Sequence, residues 1–155
     1  MTEITPFLWF NDGAGDALDF YSQVFENSEV INVSKFDAPQ MPGGGFIMGT
    51  LRIENLKIMV FNGGPAFAFN PAISLFVSCD DQEEVDYYWN ALIEGGEPGQ
   101  CGWLKDRFGL SWQIIPSLLG TLMSGPDPEG AGRVRDAMLQ MTKIESAALQ
   151  AAYDG

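Results

Sequence analysis

The 155-residue chain carries the same pattern twice, and this repeat restricts its possible folds more than any other feature. In each half an apolar strand precedes an amphipathic helix, which is followed by about three short strands. Residues 18–21 (LDFY) match residues 85–88 (VDYY) in class and order. Self-similar units bury their apolar faces against one another. The sequence therefore predicts a duplicated unit that builds a curved sheet around a shared cleft.

Hydrophobic periodicity places the elements of the first half. Ala14, Leu18 and Tyr21 recur at helical spacing, and the alternation of residues 29–36 is broken by Val30 and Phe36. Turn residues Asn11 to Gly13 and Glu54 to Asn55 separate the segments. The predicted elements are strand 4–10, helix 14–26, strand 29–36, a mobile loop over 37–45, and strands 46–53 and 57–61.

The second half repeats this order and ends in a helical tail. A turn at Phe108 and Gly109 precedes the last strand, and Asp127-Pro128 is typical of a helix start. The segment TKIE at 142–145 fits a capping box for one more helix. The predicted elements are strand 72–79, helix 81–94, short strands up to Pro116, and two tail helices.

These elements predict an α+β fold made of two βαβββ modules that form a curved mixed sheet around a cleft. We expect one domain over residues 1–155. Module one covers about residues 1–64, module two about 70–116, and C-terminal helices about 117–155.

Charge excludes two classes of partner. The chain has 21 acidic and eight basic residues and a net charge of −13, which repels phosphate backbones and anionic lipid. No apolar run approaches the roughly 20 residues of a membrane span, and no basic region precedes the N-terminal apolar run. The two cysteines do not form a CxxC motif. We expect a cytoplasmic protein with reduced thiols and neither nucleic acid nor membrane as a partner.

The chain contains no histidine, which limits its chemistry. Ser-His-Asp and Cys-His catalysis are excluded, and so is imidazole as a base or metal ligand. Any reaction would have to use carboxylates, Tyr, Cys, Lys, amides or backbone groups.

Several segments together resemble a known family. They are PFLWF with FYSQVF, NGGPAFAFNPAISLFV, QEEVDYYW, CGWLKDRFGLSWQIIP, and the tail AMLQMTKIESAALQAA. Nearly the whole chain resembles the vicinal oxygen chelate superfamily of glyoxalase I, bleomycin resistance proteins and extradiol dioxygenases. Within it, the chain is similar to the PhnB-like branch, whose domain is also called 3-demethylubiquinone-9 3-methyltransferase. The resemblance implies two βαβββ modules and, commonly, a homodimer.

Metal-dependent members of the superfamily hold a divalent ion with His or Gln and Glu residues. The resemblance places those four positions at Phe7, Met59, Ser74 and Gln113. Phe has no donor atom, Met offers a soft thioether, and Ser is a poor neutral ligand, so we expect no metal. We also expect no cofactor and no methyl transfer, because neither Gly43–Gly45 nor Gly63–Gly64 opens a helix as an adenosine-binding loop does.

Polar and aromatic residues of the strands and turns form the candidate ligand site. Trp112 and Phe61 fit a packed core as well as a cleft wall, and Asn62 and Asn70 fit turn capping as well as ligand contact. The amide of Gln113 either pairs with backbone or faces a polar cavity. The candidate ligand-binding residues are Trp9, Phe61, Asn62, Phe69, Asn70, Ser74, Cys101, Trp103, Trp112 and Gln113.

Three functions remain open on the sequence. The first is a small-molecule-binding protein of the glyoxalase/bleomycin resistance type, which holds an amphipathic or aromatic ligand in a metal-free cleft. The second is an enzyme, a lyase, isomerase or transferase that acts on a small oxygenated substrate. In that case Cys101, Tyr21 or a carboxylate would serve as acid or base. The third is a structural role as a bare dimer module.

Overall fold

The structure is a computed structural model that describes residues 1–40 and 45–155. The chain divides into two compact units, Met1–Phe69 and Asn70–Gly155. The described residues form two four-stranded mixed sheets and five helices. This arrangement confirms the predicted α+β class and the βαβββ order in each half. Of the predicted loop 37–45, residues 41–44 lie outside the described part.

The first unit contains one helix and one sheet. In the sheet, β1 runs parallel to β4, and the other neighbours are antiparallel, in the order β1-β4-β3-β2. Its elements are β1 (Phe7–Phe10), α1 (Ala14–Val24), β2 (Ser28–Asp37), β3 (Gly45–Ile53) and β4 (Leu56–Asn62).

Helix α1 covers one face of this sheet and leaves the other open. Leu18 reaches β3 at Gly49, where an added Cβ would lie 2.7 Å from the leucine Cδ1. Side chains alternate along a strand, so Leu8 and Val60, both buried, point to the helix, while Trp9 and Phe61 point to the opposite face. We call that opposite face the open face of the first sheet.

Strand β2 is the exposed edge of the first sheet and contains a β-bulge. Val30 pairs with Leu51 and Asn32 with Thr50, so Ile31 is the extra residue. A bulge shifts the side-chain alternation by one position. The irregular alternation of this segment therefore has a structural cause, and the strand itself is confirmed.

The second unit repeats the topology, with β5 parallel to β8 in the order β5-β8-β7-β6. Helix α2 begins at its cap Asp81, whose carboxylate accepts a hydrogen bond of 2.9 Å from the backbone N–H of Glu84. The elements are β5 (Ser74–Cys79), α2 (Gln82–Ile93), β6 (Glu97–Pro98), β7 (Trp103–Lys105) and β8 (Ser111–Pro116).

The tail forms three helices, one more than the sequence predicted: α3 (Ser117–Met123), α4 (Pro128–Met138) and α5 (Ser146–Asp154). The predicted start of α4 is confirmed, since Asp127 caps it and accepts from the N–H of Glu129 at 3.1 Å. The three tail helices pack around a common core of Ile115, Leu122, Val134, Ile144 and Leu149. None of the described helices combines the length and the apolar character that a membrane span requires.

The predicted capping box at residues 142–145 is wrong. Helix α5 has Glu145 at its cap position, without a side-chain hydrogen bond. The N–H of Ser146 instead donates to Oε1 of Gln82 on α2, at 2.7 Å, and Gln82 Nε2 donates to the carbonyl of Ile144 at 3.0 Å. Gln82, which is distant in sequence, therefore caps this helix. A local sequence pattern at residues 142–145 cannot indicate such a cap.

Candidate functional site

Six aromatic side chains lie in contact along the open face of the first sheet and the loop that follows β4. The Phe36 and Phe46 rings stack at 4.7 Å between centroids, and Phe46 meets Phe61 at 5.3 Å. Trp9 lies 5.1 Å from Phe61 and 5.1 Å from Phe67, edge to face in both cases. Phe7 joins at 5.9 Å from Phe61. We call these six residues the aromatic row.

Much of the aromatic row is open to solvent. Phe7, Phe36 and Phe67 expose 47%, 45% and 66% of their surface, and Trp9 and Phe61 are half-buried. Contiguous exposed apolar surface of this kind marks binding sites on soluble proteins.

Trp9 is held in place by the chain segment after β4. Its indole N–H donates to the carbonyl oxygen of Gly64 at 2.9 Å. A Cβ on Gly63 would lie 2.3 Å from Phe61 Cε1 and from Trp9 Cζ2, so only glycine fits there. The N–H groups of Gly63 and Gly64 donate to the carbonyls of Phe10 and Asn11. These two N–H groups are therefore engaged within the fold.

Three candidate residues near this segment have structural contacts. The Asn62 side-chain oxygen accepts a hydrogen bond from the N–H of Ile47, and the Asn70 oxygen accepts from the N–H of Ala72 at 2.8 Å. Phe69 packs edge to face on the buried Phe10, at 5.0 Å. Asn62 and Asn70 stabilise backbone geometry, and Phe69 contacts a residue on the helix side of the sheet.

The open face of the second sheet is more polar. Gln113 on β8 lies between Phe76 on β5 and Trp103 on β7, its partners in the strand register. Gln113 is half-buried, and its Nε2 donates to Oγ of Ser74 at 3.0 Å. Phe76 is 59% exposed. The amide therefore pairs with a side chain, in surroundings that are partly aromatic.

Trp112 is a core residue and not a cleft wall. It is 1% exposed, and its indole N–H donates to Oδ2 of the buried Asp106 at 2.9 Å. Oδ1 of Asp106 accepts from the N–H groups of Phe108 and Leu110. Asp106 organises this turn, and the sequence reasoning missed that role, although an Asp three residues before a turn glycine is a signal for it.

Tyr21 and the two cysteines differ in how far they are buried. Tyr21 is fully buried in the first unit. Cys79 is also buried, and burial, together with the charges of Glu84, Asp80 and Asp81, raises the pKa of its thiol to about 12. Cys101 is half-buried and has a left-handed backbone with φ of 58°, and its N–H donates to the carbonyl of Met141 on the tail.

The four positions that hold a metal in related proteins do not suit one here. Phe7 lies directly beside Met59 in the register of β1 and β4, and neither offers a hard donor atom. Ser74 and Gln113 are neutral and hydrogen-bonded to each other. Within residues 1–40 and 45–155, no group of three His, Cys, Asp or Glu side chains is arranged to hold an ion.

Comparison with known proteins agrees with this fold. The model of the 3-demethylubiquinone-9 3-methyltransferase family matches residues 2–115. The PhnB protein of Bacillus cereus is 30% identical, with 75% of this chain and 100% of that chain covered and a TM-score of 0.67. Protein PA1353 of Pseudomonas aeruginosa is 21% identical, with coverages of 75% and 98% and a TM-score of 0.59. No curated protein matches the chain.

A more distant structure shows the wider fold. The fosfomycin resistance protein FosX of Listeria monocytogenes, solved with Mn(II) and sulfate, is 18% identical, with coverages of 72% and 88% and a TM-score of 0.52. Helices α3 to α5 lie beyond the family match, which ends at residue 115. The family match, with the Bacillus cereus relative covered in full, shows that the chain belongs to the 3-demethylubiquinone-9 3-methyltransferase family, the PhnB-like branch of the vicinal oxygen chelate superfamily.

Proposed function

We propose that the protein binds a small aromatic or amphipathic molecule without a metal, as binding proteins of the glyoxalase/bleomycin resistance type do. The observation that carries this proposal is the aromatic row. Its rings contact one another across the first sheet, yet three of the six are close to half exposed or more. Rings in this arrangement offer edges and faces to an apolar ligand.

A second observation supports an amphipathic ligand. On the second sheet, the Gln113 amide is held by Ser74 and lies between Phe76 and Trp103. An amide has two donor hydrogens and an acceptor oxygen, and a single hydrogen bond to Ser74 uses one donor. The second donor hydrogen and the acceptor oxygen of this amide can form hydrogen bonds to a neutral polar group on a ligand.

Metal-assisted and methyl-transfer chemistry are not part of the proposal. Phe7 and Met59 supply no ligand atoms for a hard cation, and the N–H groups of Gly63 and Gly64 are bonded to backbone carbonyls. The enzymatic alternative is less favoured, because one of its candidate acids or bases, Tyr21, is fully buried.

We also propose a cytoplasmic homodimer. The support is strand β2, where Val30, Ile31 and Val33 expose 42%, 47% and 45% of their surface. An exposed edge strand with apolar side chains is a template for pairing with another chain. Light scattering of the purified protein should give twice the mass of the 17.0 kDa chain, and a strictly monomeric mass at micromolar concentration would refute this part.

The test of ligand binding begins with mass spectrometry of compounds that co-purify with the protein, followed by calorimetry with the compound found or with hits from an aromatic ligand screen. Phe67→Ala removes the most exposed ring of the row and should weaken binding by about tenfold. Tyr87→Ala is the matched control, because Tyr87 is an aromatic residue of α2 with 49% exposure. Equal affinities of both variants and the wild type would refute the aromatic row as the site.

A further inference from the structure

A cavity of about 260 Å³ lies in the second unit, along β6 and β7. Trp103 forms one wall, and Glu97, Lys105 and the nearly fully buried Ser111 also line it. Gly99 belongs to the same lining, and a Cβ there would lie 2.9 Å from the Trp103 carbonyl oxygen. The short β6–β7 hairpin thus brings two opposite charges and an indole to one cavity.

Lys105 is unusual among the basic residues of this chain. The sequence has eight, and six of them form ion pairs: Arg52, Lys57, Arg107, Arg133, Arg135 and Lys143. Within the described residues, only Lys35 and Lys105 have no ion pair, although acidic residues outnumber basic ones by 21 to eight. Lys35 lies on the edge strand β2, whereas Lys105 lines a cavity.

An acidic partner for Lys105 is close at hand. Glu97 is its direct partner in the antiparallel register of β6 and β7. Residues paired in this way have Cβ atoms about 5 Å apart on the same face of the sheet, close enough for an ion pair. Nevertheless, no ion pair joins these two side chains in the described structure. The cavity therefore presents an ammonium and a carboxylate that are near each other and both available.

We propose that this cavity binds a small zwitterion of the amino-acid kind. The ligand's ammonium would lie at Glu97, its carboxylate at Lys105, and an apolar or aromatic side chain against Trp103. Opposite charges that face a ligand of matching polarity give charge-assisted hydrogen bonds, which are stronger than neutral ones. A volume of 260 Å³ is just below the usual range of about 300–1,000 Å³ for ligand pockets, and so suits a small ligand.

This inference does not rest on the aromatic row. Its residues all belong to Asn70–Gly155, whereas the aromatic row belongs to Met1–Phe69. Phe67→Ala separates the two, because it should weaken a ligand of the aromatic row and leave binding at Glu97 and Lys105 unchanged.

The experiment compares L-phenylalanine with two analogues that each lack one charge, by calorimetry in about 150 mM salt, where long-range attraction is screened. Phenylalaninamide lacks the carboxylate, and N-acetylphenylalanine lacks the ammonium. We expect each analogue to bind about tenfold more weakly than phenylalanine. Glu97→Gln and Lys105→Gln should each weaken phenylalanine binding by about tenfold. Glu97→Gln should also abolish the preference for phenylalanine over its N-acetyl form.

Two variants serve as matched controls. Lys35→Gln removes the other unpaired lysine, and Glu83→Gln removes an exposed glutamate of α2, each without contact to the cavity. Both should bind phenylalanine as the wild type does. The proposal is overturned if phenylalanine does not bind, if the three compounds bind equally, or if Lys35→Gln weakens binding as much as Lys105→Gln. All four substitutions are on the surface, and unchanged thermal unfolding confirms that the variants are folded.

Discussion

Gln113 donates a hydrogen bond from Nε2 to Oγ of Ser74 at 3.0 Å, which joins strands β8 and β5 on their open face. If this amide contacts the ligand, Gln113→Ala should weaken binding of the co-purified compound by about tenfold, by calorimetry. Stability should fall by no more than about 1.5 kcal/mol, since the hydrogen bond is half-buried. Gln100→Ala, at an exposed glutamine, is the control. Unchanged affinity in Gln113→Ala would remove the amide from the site.

Gly63→Ala should destabilise the first unit. The added Cβ would lie 2.3 Å from both Phe61 and Trp9, so one of the rings must move, and we expect a loss of about 1–3 kcal/mol in urea unfolding. Gly132→Ala, in α4, is a control that should increase stability. No atom lies within 4 Å of a Cβ added at Gly132, and alanine stabilises a helix by about 0.5–1 kcal/mol relative to glycine. A neutral Gly63→Ala would show that the rings are not packed as described.

Asp106→Asn should destabilise the second unit. Asp106 accepts hydrogen bonds from two backbone N–H groups and from the Trp112 indole, and an amide would turn a donor towards one of them. We expect a loss of about 1–3 kcal/mol in urea unfolding. Asp136→Asn breaks an exposed pair with Arg135 and should change stability by less than about 0.5 kcal/mol. Similar effects of the two changes would contradict the central role of Asp106.

The pairing of Asp86 with Lys143 predicts a pH dependence. Lys143 Nζ lies 2.5 Å from Asp86 Oδ1, and hydrogen bonds from Lys143 and Gln82 lower the pKa of Asp86 below its usual value. Because the pKa of Asp86 is lower in the folded protein than its value of about 3.9 in the unfolded chain, the ionised carboxylate stabilises the fold above that value. This contribution is lost as the pH falls through the folded pKa. Asp86→Asn should therefore be less stable than wild type at pH 6 and equal to it well below pH 4.

The stability that this pair contributes is also lost at alkaline pH. The hydrogen bond to Asp86 raises the pKa of Lys143 in the folded protein. The contribution of the pair to stability is therefore complete below the unfolded pKa of about 10.4 and disappears as the pH rises through the folded pKa. Thermal unfolding of wild type and Asp86→Asn across pH 3–11 measures both limits. A difference that is constant over this whole range would refute the ionic origin of the contribution.

The two cysteines should differ in reactivity. Burial raises the pKa of the Cys79 thiol to about 12, so almost none of it is thiolate at pH 8, and the reactive form is the thiolate. Iodoacetamide at pH 8 should label the half-buried Cys101 in the native protein and reach Cys79 only in urea, as seen by peptide mass spectrometry. Native labelling of Cys79 at a rate equal to that in urea would contradict its burial.

Local periodicity was sufficient to predict most of the fold. Helices α1 and α2 and the strands around them follow from apolar spacing, because one face of each element is buried. The bulge at Ile31 was not foreseen, since an extra residue in one strand depends on its partner strand. Helix α3 was missed because Gly120 and Thr121 lower its helix propensity, whereas packing around Leu122 stabilises it.

The site was less predictable than the fold. The sequence pointed to Trp9 and Phe61, but it did not include Phe36, Phe46 or Phe67, whose contacts depend on strand register and on a loop. Ser74 and Gln113 were expected to correspond to Phe7 and Met59, which pair directly in the strand register, yet Ser74 pairs with Ser111. Trp112 fitted a packed core as well as a cleft wall on the sequence, and its burial and its hydrogen bond to Asp106 decide for the core.

The close packing of Gly63 against Trp9 and Phe61 bears on how a ligand would bind. The Trp9 indole N–H donates to the Gly64 carbonyl, and Gly63 leaves no room for a side chain between the backbone and the two rings. The rings are therefore held in one arrangement before a ligand binds. Their rotational entropy is already lost when the first unit folds. Association with such a preorganised surface needs little rearrangement, so its rate should be limited mainly by diffusion and orientation.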